Sequence, residues 1–292
     1  MSIHAERRAA PIPPAGGVGL KREHHAAILA TRPAIGWFEL HAENYMGAGG
    51  PPLAALDAIR RDYPLSVHGV GLNLGGVDPL DRSHLDLLRR LVDRCDPGLV
   101  SEHLAWTAHD GTYLNDLLPL PCDDATLRHL IPRVAETQDR LNRAILIENP
   151  ARYFSVHPSA ADPFAEIGFL SALTTATGCG VLLDLANIVV SATNLGFAPE
   201  DYLARCVGLP IGEMHLAGHA PAGFNGDGLL IDDHGSAVPV SVWTLHRRAL
   251  RLLGPLPTLV EWDNNVPDLA ILAAEAAHAD AIIAEAAHDR AA

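Results

Sequence analysis

The chain has 292 residues, 48% of them apolar, and a formal net charge of −14. That length and apolar content suit one large domain or two small ones. The acidic balance argues against a nucleic-acid backbone or an anionic membrane surface as partner, because both attract basic patches.

Residues 1–16 read as a flexible leader: two arginines precede a Pro/Gly-rich stretch that lacks the apolar core of a signal peptide. No run of about 18 apolar residues follows anywhere, so a cytoplasmic protein is expected, with residues 17–292 forming its one domain. Residues 17–20 give a first short strand and residues 22–30 a helix. Residues 36–44 alternate apolar and polar side chains as a second strand. A Gly/Pro loop and a helix through Leu53, Leu56 and Ile59 come next. The third strand, residues 65–70, runs into a Gly-rich stretch ending at Gly76. Leu85, Leu88, Leu91 and Val92 then recur at helical spacing behind a cap at Asp81 or Ser83. After the fourth strand, residues 99–104, Asp123 and Asp124 open a helix in which Pro132 is expected to place a kink. The fifth strand is residues 144–148, and residues 165–176 are helical. The sixth, Val181 to Asn187, is an apolar run that ends in a carboxylate and an amide. A brief helix over residues 201–207 leads to the seventh strand, residues 211–216. Residues 217–239 form a long loop, of the kind that is usually functional in a compact domain. A helix over 242–253, an eighth strand over 258–262 and an Ala-rich helix from Pro267 complete the chain.

Eight apolar strands alternating with helices predict an α/β fold, a single (β/α)8 TIM-type barrel of the sugar-isomerase kind, in preference to an open doubly wound sheet. No G-x-G-x-x-G opens a helix after a strand, which disfavours a dinucleotide-binding fold. Cys95, Cys122, Cys179 and Cys206 are scattered without a CxxC pair, so free thiols are expected in place of a zinc knuckle or a disulfide framework. Lys21 is the one lysine, which nearly removes mechanisms that need a Schiff-base or acid–base lysine.

The strands share one grammar: an apolar run and then His, Glu or Asp at its C-terminal end. In a barrel those ends converge on one mouth, and side chains at i and i+2 share a face. His68, Glu148, Asp184, His215 and Glu261 are therefore expected to meet. Asp263 shares the face of Glu261. Glu102 and His103 point to opposite faces, so one of the two belongs at the site. A mixture of imidazole and carboxylate without a thiolate cluster suits iron, manganese or zinc, with carboxylates enough to bridge more than one ion. Asn149 and Asn187 are read equally as ligands or as groups that orient carboxylates. His219 is a ligand or a loop-anchoring acid, and His234, beside Asp233, reaches for the substrate. His41 and Glu43 are read as hydrogen-bonding residues at least as readily as ligands.

His68 with its Gly-rich tail, Ser101-Glu102-His103-Leu104-Ala105-Trp106, Ile147-Glu148-Asn149-Pro150, Leu183-Asp184-Leu185-Ala186-Asn187, Glu213-Met214-His215-Leu216-Ala217-Gly218-His219, Asp233-His234-Gly235 and Glu261-Trp262-Asp263-Asn264-Asn265 together resemble the multinuclear non-haem iron-dependent oxidative enzymes, the family of the methanobactin biosynthesis oxygenase. Ala186 departs from the family pattern, which often has asparagine there. The resemblance implies two or three non-haem irons, mixed Fe(II)/Fe(III), held by His68, His103, Glu148, Asp184, Asn187, His215 and Glu261, with Asp263 a further candidate. It implies dioxygen as co-substrate, a ribosomally made precursor peptide modified at cysteine, and a separately encoded recognition protein. A closed barrel has no free strand edge, so such a partner is expected to dock on loops or helices, with the 217–239 loop bordering the mouth. The competing reading is a divalent-metal sugar isomerase-like or hydrolytic enzyme on the same barrel.

Overall fold

A computed structural model describes residues 11–155, 162, 164–223 and 228–291. Eight parallel strands close in chain order into a barrel: β1 Gly16–Gly19, β2 Trp37–His41, β3 Leu65–Gly69, β4 Leu99–His103, β5 Leu146–Glu148, β6 Gly180–Asp184, β7 Ile211–Ala217 and β8 Thr258–Glu261. Around it lie α1 His25–Thr31, α2 Pro51–Ile59, α3 Arg82–Cys95, α4 Asp124–Leu141, α5 Ala165–Thr177, α6 Leu185–Leu195, α7 Pro199–Arg205, α8 Val240–Leu253 and α9 Leu269–Ala291. The TIM-type barrel expected from the alternating pattern is therefore the observed architecture. The strands are buried on both faces, as apolar runs require in a sheet covered by helices. No helix among the described residues is long and apolar enough to cross a membrane, and the four cysteines are free.

Of the leader read from the sequence, residues 1–10 lie outside the described residues. Ile12 is buried against Trp37 and Leu259, and Gly16 already belongs to β1. Gly17 must lack a side chain, since a Cβ there would sit 2.3 Å from the Trp37 ring. The cap of α3 is Asp81, whose carboxylate accepts from the Ser83 and His84 amides at 2.8 and 3.2 Å. Pro132 stands inside α4, which runs on through it to Leu141.

Four features break the simple alternation. Strand β2 stops at His41, and Ala42–Tyr45 is a turn of 3-10 helix. The sixth strand stops at Asp184, because its carboxylate accepts from the Asn187 amide at 2.7 Å and so caps α6. Asn187 thus lies in the first turn of a helix and not on a strand. An antiparallel hairpin, Ala105–His109 with Thr112–Pro119, follows β4. Its turn is Asp110-Gly111, both at positive φ, the residue pair such a tight hairpin turn favours. Finally, the 217–239 loop contains a two-stranded ribbon, Ala220–Pro221 with Leu230–Ile231; its residues 224–227 lie outside the described residues. Hairpin and ribbon place strand edges outside the barrel, so the expectation of no free edge holds for the barrel alone.

Candidate metal centre

Parallel registration brings the strand ends level. His41 pairs with His68, His103 with Glu148, Asp184 with His215, and Ala217 with Glu261. His68, His103 and Glu148 form the tightest group. Their Nε2, Nε2 and Oε2 atoms stand 3.2 Å (His68 to His103), 3.3 Å (His68 to Glu148) and 3.2 Å (His103 to Glu148) apart. Ligands held about 2.0–2.2 Å from one ion lie roughly 3 Å from each other, so this triangle has the spacing of ligands on a shared cation. The other ring nitrogen is engaged in each case, His68 Nδ1 by Ser101 Oγ at 2.7 Å and His103 Nδ1 by the Gly69 carbonyl at 3.1 Å. Such partners fix ring orientation and leave Nε2 for a metal.

Four more groups of three donors lie within 4.8 Å of one another: Glu148, Asp184 and His215; Asp184, His234 and Glu261; His41, Glu261 and Asp263; and Glu39, Glu213 and His215. The first three, with the His68 triangle, form a row in which neighbours share Glu148, then Asp184, then Glu261. A row with shared carboxylates is an arrangement for several ions. Glu148 Oε2, Asp184 Oδ2 and Asn187 Oδ1 are buried and make no hydrogen bond among the described residues. Buried polar atoms are rarely left unbonded, and cations at the mouth would supply the missing partners. The imidazole and carboxylate donors fit iron, manganese or zinc.

Burial and neighbouring charges shift the titration of the pocket's groups in both directions. Burial, then His103 and His215, hold His68 well below the ordinary imidazole range. Burial opposes charge on His103 too, but Glu148, Glu102 and Glu261 outweigh it and push its pKa up to about 9. Burial, then Glu148 and Asp232, raise Asp184 well above the usual carboxylate range. Burial also works against the charge on Glu261, yet His234, His215 and His41 hold it well below that range.

The structure brings together His68, His103, Glu148, Asp184, His215 and Glu261, six of the residues singled out in the sequence. Asp263 joins at the rim, ion-paired to Lys21 and 3.6 Å from His41 Nε2. Between Glu102 and His103, it is His103 that faces the group. Glu102 lies against Gly69, where a Cβ would sit 2.2 Å from its Oε2. The Asn149 amide is spent on the backbone of Asp184, accepting from its N–H at 2.9 Å and donating to its carbonyl at 3.0 Å. The Asn187 amide donates to the Asn149 carbonyl at 3.0 Å and leaves Oδ1 free. Glu43 binds the Val70 and Gly71 amides and so holds the Gly-rich loop.

The 217–239 loop is arranged differently from its sequence reading. His234, at φ 47°, turns Nδ1 to within 3.5 Å of Glu261 and Nε2 to within 2.8 Å of Asp232. Its partner is thus Asp232, while Asp233 closes the turn by accepting from the Gly235 amide at 3.3 Å. His219 joins none of the donor groups among the described residues. Its ring nitrogens make no hydrogen bond among the described residues, and burial depresses its pKa. Glu39, Glu213 and Asp232 were not singled out in the sequence, and His41, read there as a hydrogen-bonding residue or a ligand, bonds Glu261 at 3.2 Å and belongs to one donor group. The signal for three of them is Glu-x-His, present as Glu39-Leu40-His41 and Glu213-Met214-His215, which puts both side chains of each pair on the inner face.

A family model described as "RiPP precursor modification enzyme MbnB/TglH/ChrH" matches residues 15–284. A UPF0276 protein of Caulobacter vibrioides is 51% identical over 271 residues, 93% of this chain and 95% of the relative. The UPF0276 protein RB0508 of Rhizobium meliloti is 47% identical over 286 residues, 94% and 92% of the two chains. Among solved structures, D-psicose 3-epimerase from Clostridium cellulolyticum superimposes with a TM-score of 0.60 at 14% identity, covering 94% of this chain and 99% of the other. Endonuclease IV from Thermus thermophilus does so with a TM-score of 0.59 at 18% identity, covering 93% and 99%. At such identity these two likenesses concern the fold alone.

Proposed function

The chain belongs to the family of RiPP precursor modification enzymes that takes in MbnB, TglH and ChrH, and on that premise we propose that it is an iron- and dioxygen-dependent oxidase that modifies a ribosomally made precursor peptide at cysteine. The observation that carries the reading is the row of donor groups sharing Glu148, Asp184 and Glu261. His68, His103, Glu148, Asp184, Asn187, His215 and Glu261 would hold two or three irons, with His234 and Asp263 at the rim. Bound iron supplies one-electron chemistry and activation of dioxygen.

The chain's own residues supply the rest. Ser101 and the Gly69 carbonyl orient two imidazoles. Asn149 clamps the backbone of Asp184, whose carboxylate two of the donor groups share. Lys21 neutralises Asp263 at the rim, and that pairing removes the one lysine from acid–base work. His219, whose pKa burial lowers and whose ring nitrogens have no hydrogen-bond partner among the described residues, is our candidate to take a proton from the peptide. A cytoplasmic location and a separately encoded peptide-recognition protein complete the proposal. The test is anaerobic reconstitution with ferrous iron, then oxygen uptake and peptide mass measured with cysteine-containing precursor, with and without a co-purifying partner. Oxygen consumption coupled to a mass change at cysteine is expected. Activity with magnesium or zinc but not iron would overturn the reading, and full turnover by the isolated chain would overturn the partner requirement.

A further inference from the structure

Beneath the mouth, one layer deeper in the barrel, lies a polar unit that the row of metal-type groups does not use. Glu39 of β2, Ser66 of β3 and Glu213 of β7 are each at most 1% exposed. The Ser66 hydroxyl lies 2.8 Å from Glu39 Oε2 and 3.4 Å from Glu213 Oε2; its single hydrogen serves one carboxylate at a time, and the shorter contact is to Glu39. The other oxygens of the two carboxylates converge on one atom. His215 Nε2 is 3.2 Å from Glu39 Oε1 and 3.6 Å from Glu213 Oε1. The second nitrogen of the same ring, Nδ1, faces the mouth and lies 3.1 Å from Glu261 Oε2.

His68 and His103 show the same division of labour, each with one nitrogen tied to an inner partner and the other among the carboxylates of the mouth. They present Nε2; His215 is turned over. We propose that Glu39, braced by Ser66 and assisted by Glu213, accepts the Nε2 proton of His215 and so makes Nδ1 the nitrogen that His215 offers to a metal. Glu39 is then a positioning residue, the carboxylate end of a carboxylate–histidine–metal chain. The Nε2 approach is short but not in line for a hydrogen bond; the final torsion of a glutamate is broad, and a small turn of the Glu39 carboxylate aligns it. This inference rests on the mouth being a metal centre.

Two measurements on the whole chain test it. In zinc-loaded protein labelled with 15N at histidine, one imidazole should carry its proton on Nε2 and show a metal-shifted Nδ1, opposite to His68 and His103. That resonance should be absent from His215→Gln protein. In anaerobic ferrous titrations, Glu39→Leu should weaken one iron equivalent by 10–100-fold, the usual effect of losing such a partner, and leave the others unchanged. Glu39→Gln, which keeps an acceptor oxygen, should recover most of that loss. Wild-type binding of every equivalent by Glu39→Leu, or a metal-loaded His215 with its proton on Nδ1, would overturn the proposal. Should Glu39→Leu fail to fold, the nitrogen shifts of the wild-type protein decide alone. Wild-type protein that takes up no metal would instead overturn the reading of the mouth as a metal centre.

Discussion

Glu148 is the residue whose loss should be felt most widely. Its Oε2 lies within 3.3 Å of both His68 and His103, and the same side chain belongs to the group with Asp184 and His215. Glu148→Gln keeps the shape and removes one anionic donor from two sites. Even a partner behind a ligand is worth 10–100-fold in metal affinity, so loss of the ligand itself should cost at least about 100-fold at each site, or roughly 2.7 kcal/mol. An ion present at about 100 times its Kd stabilises the native state by a similar roughly 2.7 kcal/mol, which for a chain of this size shifts Tm by about 4–5 °C. Anaerobic thermal scans with and without ferrous iron should therefore show a clear upward shift for the wild type and little or none for Glu148→Gln. Without metal the comparison changes. Burial disfavours the charged form of Glu148 while His103 and His215 favour it, so the neutral amide relieves a desolvation cost and forfeits a charge pair, and the two apo melting temperatures should lie close together. A full iron-dependent shift in Glu148→Gln, or an apo variant much less stable than the apo wild type, would refute the reasoning.

Three further outcomes follow from other parts of the molecule. Asn149→Ala strands the buried N–H of Asp184, at about 1–3 kcal/mol, while the Asp184 carbonyl still accepts at the start of α6, so denaturant unfolding should show a loss of about 1–3 kcal/mol and iron content should fall with it. His246 is fully buried against Thr258, and burial, then Arg247 and His278, depress its pKa to about 3. Its folded-state value lies below the unfolded one, so the unfolded chain binds the extra proton and stability is lost as pH falls from about 6.5 toward 3, by about 1.4 kcal/mol per unit; the gap between wild type and His246→Leu should narrow by that slope, and a gap independent of pH would contradict it. His219→Gln should keep the wild-type iron content while turnover of precursor peptide drops by about 10²–10⁴-fold, the range for a lost acid–base group; unchanged turnover would remove His219 from catalysis.

The barrel and most of the centre were legible in the sequence for one physical reason. Apolar strands that must be buried on both faces cannot carry His, Glu and Asp at their ends without a use for them, and parallel strands bring those ends to one side. What escaped was set by local hydrogen bonding or by depth. Asp184 both ends a strand and caps α6, so the helix containing Asn187 was read as strand. Asp110-Gly111 marks a hairpin turn that the strand–helix alternation overrode. Glu39 and Glu213 sit one layer below the ends, at positions where a lone carboxylate reads as an interruption of the strand. Asp232 and Asp233 are adjacent and alike, and only the left-handed backbone at His234 decides which of them meets the ring.

The account's central claim is that the mouth of this barrel holds more than one iron through shared carboxylates. The most direct measurement is iron per chain in anaerobically reconstituted protein by elemental analysis, with Mössbauer spectra of the same sample. Two or more irons per chain with spectra of coupled sites are predicted from the overlapping donor groups. A single iron, or zinc alone with no iron uptake, would contradict it.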